Sequence, residues 1–319
     1  MLGRAAHASR THKARSESLL ASPVIKDRQT SPRRTLTRRG FFRIASATAG
    51  AAIVGDSIFF EPNRPHLVLR DLALKGWPAQ LDGFKIALLS DFHYDPYCSL
   101  HPLRAAIPIV NNLRADLIAL TGDFVSVPMF SSNDEKAAGD AEPCADLLRQ
   151  MRAPYGLWAV LGNHDFSTDP ARVTAILRAA GISVLANQSV AIEGRGSRFW
   201  LAGVNDVLSR TADLKATLTK IPEQEATVLM AHEPDYADFV KRFPVNLQLS
   251  GHTHGGQVRL PFLPPLYVPA LGRKYVSGLY RVGPLTLYTN PGLGTVGVPV
   301  RFDCPPEITL LTLRPAAIA

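Results

Sequence analysis

The chain has 319 residues, 46% of them hydrophobic and 19% charged, enough to bury a sizeable core in one or two domains. Its formal charge of +8 would suit a nucleic-acid partner, but residues 1–43 carry eleven Lys and Arg against Glu17 and Asp27, a net +9 that leaves the remaining chain at −1. A nearly neutral body has no basic face for DNA or RNA, so nucleic acid is excluded as a partner.

Residues 1–36 form a basic extension expected to be disordered. Thr37-Arg38-Arg39-Gly40-Phe41-Phe42-Arg43 then precedes Ile44–Val54, a mildly apolar stretch rich in alanine and other small residues. This arrangement resembles a bacterial twin-arginine export signal. Residues 37–60 are therefore expected to be an address, with the twin-arginine machinery as partner and a periplasmic or cell-envelope destination. The alternative is a retained membrane anchor. Ala45-Ser46-Ala47 and Ala49-Gly50-Ala51 are both small-residue cleavage sites, and Asp56 interrupts the apolar stretch before Ile58-Phe59-Phe60, whereas a spanning helix needs about 20 mainly apolar residues.

The folded domain is placed at 65–319. His66–Leu74 partly alternates apolar with polar residues, as a half-buried strand does. Phe84–Leu89 is a short apolar run ending at Ser90-Asp91, so Asp91 and His93 fall just past the end of a buried strand. Leu103–Leu113 has helical character, and Asp116–Leu120 delivers Thr121-Gly122-Asp123 to a loop. Ser131–Glu142 is expected to be a surface loop, Ala145–Met151 a helix, and Leu157–Leu161 a strand leading into Gly162-Asn163-His164-Asp165. Alternating strands and helices imply right-handed crossovers, which bring these three loops to one sheet edge.

The second half is richer in strands, at Phe199–Val204, Ala226–Met230, Asn246–Leu249, Leu285–Thr289 and Ile308–Leu313. Two of them end at Ala231-His232-Glu233 and at Ser250-Gly251-His252-Thr253-His254. Extended backbone points both rings of His-x-His the same way, and the flanking Gly251, Gly255 and Gly256 permit close approach. A lone histidine is more often structural than a ligand, but five such strings, each after an apolar run, favour a metal site. Glu233 and Asp235 can cap the next helix, and Asp95 can form a turn with Pro96. Arg259, Arg273, Lys274 and Arg301 default to solvated surface charge, with contact to substrate phosphates as the sharper alternative. Leu260–Pro269 is apolar and broken by four prolines, and reads equally as a packed loop or as an acyl-chain or membrane-facing wall. Cys98, Cys144 and Cys304 have neither CxxC nor zinc-finger spacing, and their odd number leaves a free thiol.

The order D-x-H, GD, GNHD, H, GHxH resembles the calcineurin-like metallophosphoesterase superfamily over about residues 84–256. Gly255–Pro261, Gly278-Leu279-Tyr280 and Asn290–Thr295 are similar to a branch of exported or membrane-associated bacterial phosphodiesterases, including enzymes like UDP-2,3-diacylglucosamine pyrophosphohydrolases. The resemblance implies an α/β fold, a four-layer α-β-β-α sandwich of two mixed sheets with a dinuclear metal site at the strand ends. By the same resemblance Asp91, His93 and His254 bind one ion, Asn163, His232 and His252 the other, and Asp123 bridges them. His164 would protonate the leaving group, with Asp165 orienting its ring. The oxygen and nitrogen donors suit two divalent ions, Mn, Fe or Zn.

The implied function is phosphodiester or pyrophosphate hydrolysis by in-line attack of a metal-bridged hydroxide. Candidate substrates are a lipid-linked phosphoester such as UDP-2,3-diacylglucosamine, or soluble and cell-wall phosphodiesters. Export would separate the first from an enzyme whose substrate is made in the cytoplasm, unless the leader only anchors it. A non-catalytic metal-binding envelope protein is the reading from another class.

Overall fold

The computed structural model describes residues 37–95, 97–127 and 134–316, so the extension 1–36 lies outside the described residues. The chain divides into two units that meet between Ala47 and Thr48, and the second holds both sheets. The leader is helical: α1 (Arg38–Gly55) continues through a π turn, Asp56–Phe60, and a 3-10 turn, Glu61–Asn63. The stretch Arg38–Asn63 is long and apolar enough to cross a membrane by length and composition.

The elements that follow are β1 (His66–Leu74), β2 (Phe84–Leu89), α2 (Leu100–Leu113), β3 (Leu117–Leu120), α3 (Asp134–Gly139), α4 (Ala141–Leu148), β4 (Leu157–Ala159), α5 (Asn163–Ser167), α6 (Pro170–Ala179) and β5 (Ser183–Val184). The second half adds β6 (Gln188–Gly194), β7 (Ser197–Gly203), α7 (Leu214–Leu218), β8 (Thr227–Met230), α8 (Ala237–Val240), β9 (Leu247–Ser250), β10 (Gly278–Val282), β11 (Leu285–Thr289) and β12 (Glu307–Pro315). They form two six-stranded mixed sheets, β1-β12-β2-β3-β4-β5 and β10-β11-β9-β8-β7-β6. Strands β2 to β5 run parallel, as do β7, β8, β9 and β11, while β12 is antiparallel to β2.

Period-two burial assigns the layers. On β2, Ala87 and Leu89 face the helices α2, α4 and α6, while Ile86 and Leu88 face the second sheet. On β8, Val228 and Met230 join that central core, and Leu229 joins a third core with α7 and α8. Helices, sheet, sheet and helices therefore stack as the sandwich expected from the sequence.

Two expectations change. The segment expected as the surface loop Ser131–Glu142 is helical from Asp134 onward, as α3 and the start of α4, because Ala137, Ala138, Ala141, Ala145 and Leu148 recur at helical spacing and are buried. Strand β1 is half-buried only at its end, at Leu72 and Leu74, because it lies at a sheet edge. Among the described residues all three cysteines are free thiols.

Candidate metal centre

Strands β2, β3, β4, β8 and β9 end where the two sheets meet one edge, and each hands over to a tight turn. Asp91, His93, Asp123, His252 and His254 all have positive φ, between 40° and 72°. Left-handed backbone costs a non-glycine residue on the order of 1 kcal/mol or more and persists only where the surroundings enforce it. Here the Asp91 and His93 N–H groups donate to the carbonyls of Gly122 and Asp123, each at 2.9 Å, and the His252 N–H donates to the Asp91 carboxylate. The motif glycines serve close approach. A Cβ on Gly122, at φ 101°, would overlap the Gly162 backbone and the His232 ring, and one on Gly162 would overlap the Asp123 carboxylate.

Six of the seven expected ligands converge in two groups that share a neighbourhood. Ligand atoms of Asp91, His93 and His254 lie within 4.8 Å of one another, as do those of Asp123, His232 and His252. Asp123 Oδ2 is 3.4 Å from His93 Nε2 and 3.2 Å from His232 Nε2, so this carboxylate touches both groups. The rings are oriented from behind. His232 Nδ1–H donates to the Thr121 carbonyl at 2.6 Å and His252 Nε2–H to the Ala270 carbonyl at 2.8 Å, which leaves the opposite nitrogen of each ring for the cluster around Asp123. Nε2 of His254 approaches Nε2 of His93 to 3.0 Å, and the buried Oδ1 of Asn163 has no hydrogen-bond partner. Two ring nitrogens facing one another fit a cation between them, and a buried amide oxygen without a partner fits a ligand still to be bound.

The electrostatics match that donor set. Burial pushes His93 and His254 below the ordinary imidazole value, and pushes His252 down to about 4, so these rings are neutral at pH 7 as ligands must be. His232 departs in the other direction: burial opposes its protonation, but the Asp123 carboxylate beside it holds it well above the usual range. Burial would likewise raise Asp123, yet the His232 and His164 rings, with hydrogen bonds from His232 and His93, keep it well below. Asp91 is raised, chiefly by burial.

His164 and Asp165 part company with the expected pairing. The Val127 N–H donates to His164 Nδ1 at 3.0 Å, which fixes the neutral tautomer with its proton on Nε2. Asp165 is fully buried and accepts four backbone N–H groups, from Asp123 and Gly162 on one oxygen and Phe124 and Val125 on the other. It clamps the Asp123 turn to the Asn163 turn and does not orient the His164 ring.

The remaining candidates sort by their partners. Glu233 is buried and accepts the amides of Val207 and Leu208, and Asp235 accepts those of Arg273, Lys274 and Tyr275, so both brace loops instead of capping a helix. Asp95 accepts the Tyr97 and Cys98 amides in a plain turn. Arg301, expected at the surface, is fully buried. Its guanidinium donates to the carbonyls of Cys304, Pro291, Gly292 and Gly294, which holds the Asn290–Gly294 loop behind Asp91. The apolar neighbours Val300 and Phe302 are the sequence signal for that burial.

A cavity of about 650 Å³ opens beside His164, His252 and His254, walled by Leu266, Tyr267 and Val298 among others. Leu260–Pro269 is not packed over the core: Phe262, Leu263, Leu266 and Tyr267 are exposed.

A family model described as calcineurin-like phosphoesterase matches residues 84–256. The chain is similar to the uncharacterized metallophosphoesterase YkuE of Bacillus subtilis (strain 168), with 34% identity over 288 residues, 88% of this chain and 98% of that protein. Phosphodiesterase YaeI of Escherichia coli (strain K12) is 33% identical over 286 residues, 87% of this chain and 99% of that protein. A transmembrane protein with metallophosphoesterase domain from Danio rerio is 30% identical over 266 residues, 79% of this chain and 58% of that protein.

Proposed function

The chain belongs to the calcineurin-like phosphoesterase family and is a metal-dependent phosphoester hydrolase, and on that premise we propose that it holds two divalent cations and cleaves phosphodiesters or pyrophosphates. Asp91, His93 and His254 would hold one cation, Asn163, His232 and His252 the second, and Asp123 both. The observation that carries this reading is the convergence of two ligand sets on one shared carboxylate. Oxygen and nitrogen donors without a thiolate suit Mn, Fe or Zn. Such cations supply Lewis acidity, which makes water nucleophilic near neutral pH and offsets charge on the phosphoryl oxygens.

The protein's own groups do the positioning. With Nδ1 held by the Val127 amide, His164, which lines the cavity, keeps Nε2–H as a proton donor to the leaving oxygen. Its backbone N–H also donates to Asp123 Oδ1 at 2.9 Å, which ties the donor's position to the shared carboxylate. Mn-loaded protein is expected to hydrolyse bis-p-nitrophenyl phosphate, and His164→Ala to lower kcat by about 10²–10⁴-fold with metal content unchanged. The loss should be larger for an alkoxide leaving group than for p-nitrophenolate, which needs little protonation. Equal losses for both would remove the proton-donor role, and no hydrolysis by metal-loaded wild type would remove the enzyme reading.

A small-molecule phosphoester is the substrate class. The apolar walls of the cavity favour a lipid-linked one, such as UDP-2,3-diacylglucosamine, over a soluble or cell-wall phosphodiester. Hydrolysis of the diacyl sugar nucleotide, compared with that of soluble diesters in one substrate panel, decides between them.

The leader supports twin-arginine export or membrane retention, on the paired Arg38 and Arg39 that open α1. Arg38→Lys/Arg39→Lys is expected to trap the protein in the cytoplasm, as read by cell fractionation. Unchanged localisation would count against the signal.

A further inference from the structure

We propose that Leu260–Pro269, with Val298 beside it, is a bilayer-docking surface that holds the mouth of the metal cavity against lipid headgroups. The docking itself stands on geometry; only what the docked site would then do rests on the hydrolase reading.

The first observation is exposure in an otherwise well-packed unit. Phe262 is fully exposed, and Leu263, Leu266, Tyr267 and Val298 are 56–71% exposed. Five large apolar side chains left to solvent, four of them on one ten-residue loop, make an unpartnered surface and not scattered noise. Phe262 also has φ 67°, a strained conformation for an aromatic residue, and it spends that strain presenting its ring to the outside. Prolines 261, 264, 265 and 269 remove four N–H donors from the loop, which lowers the penalty for carrying its backbone into a lipid interface.

The second observation selects a membrane over a protein as the occupant. At the stem of the loop, the Arg259 N–H donates to the Phe302 carbonyl at 2.8 Å and the Phe302 N–H to the Gln257 carbonyl at 3.0 Å. The same short segment receives the end of the leader helix: the Arg301 N–H donates to the Ser57 carbonyl at 3.0 Å and the Cys304 N–H to Glu61 Oε1 at 2.6 Å. The apolar segment from Thr48 to Asn63, within the second unit and with Ile53, Val54, Phe59 and Phe60 exposed, therefore joins the body within a few residues of the loop stem. A bilayer that takes up those side chains lies beside the loop stem. Residues 255–277 contain Arg259, Arg273 and Lys274 and no acidic residue; Arg259 Nε donates to the Gly255 carbonyl and Lys274 pairs with Asp238, while Arg273 is exposed and suits an anionic headgroup. Phe262 and Tyr267 are the residue types that settle at such interfaces.

Leu266, Tyr267 and Val298 line the cavity as well as its rim, so an acyl chain leaving the bilayer would meet apolar wall all the way to His252 and His254. The fitting ligand is an amphiphilic phosphoester drawn from the membrane.

The test places Phe262→Trp in the full-length, Mn-loaded chain reconstituted into phosphatidylcholine/phosphatidylglycerol vesicles that carry bromine at shallow acyl positions. The leader could hold the protein on a vesicle unaided, so the readout is the added emission and not retention. It is expected to shift to shorter wavelength and lose most of its intensity, whereas emission added by Glu193→Trp, beside the β6–β7 turn at the far end of the sheet from His232, stays unquenched. Emission of Phe262→Trp that ignores the vesicles overturns the proposal and leaves the patch to a protein partner, and equal quenching at both positions overturns it as non-specific adsorption. Hydrolysis of bis-p-nitrophenyl phosphate is read on the same samples. Activity without quenching refutes docking alone, and quenching without activity refutes the hydrolase reading alone.

Discussion

Asp123→Ala is expected to abolish metal retention and to lower kcat/KM by about a thousandfold or more. Asp123 is the carboxylate that touches both ligand sets, with Oδ2 3.4 Å from His93 and 3.2 Å from His232, while Oδ1 accepts the His164 amide. Its removal takes negative charge from a buried cluster of imidazoles and unties the His164 turn in one step. Metal-borne charge stabilisation is worth several kcal/mol, and each 1.36 kcal/mol is tenfold in rate, which sets the expected scale. Asp123→Asn separates the two effects: it keeps an oxygen for the His164 N–H but loses the charge, so metal should be lost nearly as completely. Metal analysis of the purified variants beside steady-state rates gives the answer. Two ions retained per chain by Asp123→Ala, with activity near wild type, would end the shared-carboxylate reading.

The strand-end ligands were legible because their signal is local: an apolar run reaches a donor side chain within two or three residues at Leu89–Asp91, Leu120–Asp123 and Leu249–His252, with a glycine directly before the donor in the last two. The parallel order of the strands then brings those positions together without any further information. What stayed illegible depends on backbone groups that carry no letter in the sequence. Asp165 follows His164 directly, which suggests a side-chain pair, yet the turn after β3 presents three amides to it and Gly162 of its own motif a fourth. Helix α3 was hidden because Asp134, Glu135 and Lys136 look like loop, and only the alanines after them mark the buried stripe. The proline-broken segment after His254 could not be assigned to core or surface from composition, since apolar content is the same in both cases, and its exposure had to come from the structure.

Arg301 is the largest of these hidden roles, and Arg301→Met is expected to destabilise the protein by about 3 kcal/mol or more. Hydrogen bonds to a charged group are worth about 1.5–3 kcal/mol each, and a buried carbonyl left without a donor costs about 1–3. Against four such bonds stands the relief of no longer burying a cation whose Nε has no partner, so the net is well below the sum. Burial pulls the guanidinium below its ordinary value, opposed by the Cys304 side chain and the nearby Asp91 carboxylate, which favour the charged form. For a domain of this size the expected fall in Tm is roughly 10 °C. The effect should also reach the metal site. The carbonyls bound by Arg301 belong to the loop whose Leu293 and Gly294 amides donate to the Ser90 and Asp91 carbonyls at 2.9 and 2.7 Å, and these bonds hold Asp91 in its left-handed turn. Loosening a ligand's support typically costs about 10–100-fold in metal affinity, so Arg301→Met should need that much more Mn for half-maximal activity. Arg301→Lys can place one ammonium in the same space but cannot span four carbonyls, and should fall between the two. A Tm loss with unchanged Mn affinity would confine Arg301 to folding, and an unchanged Tm would mean that the four carbonyls find other donors.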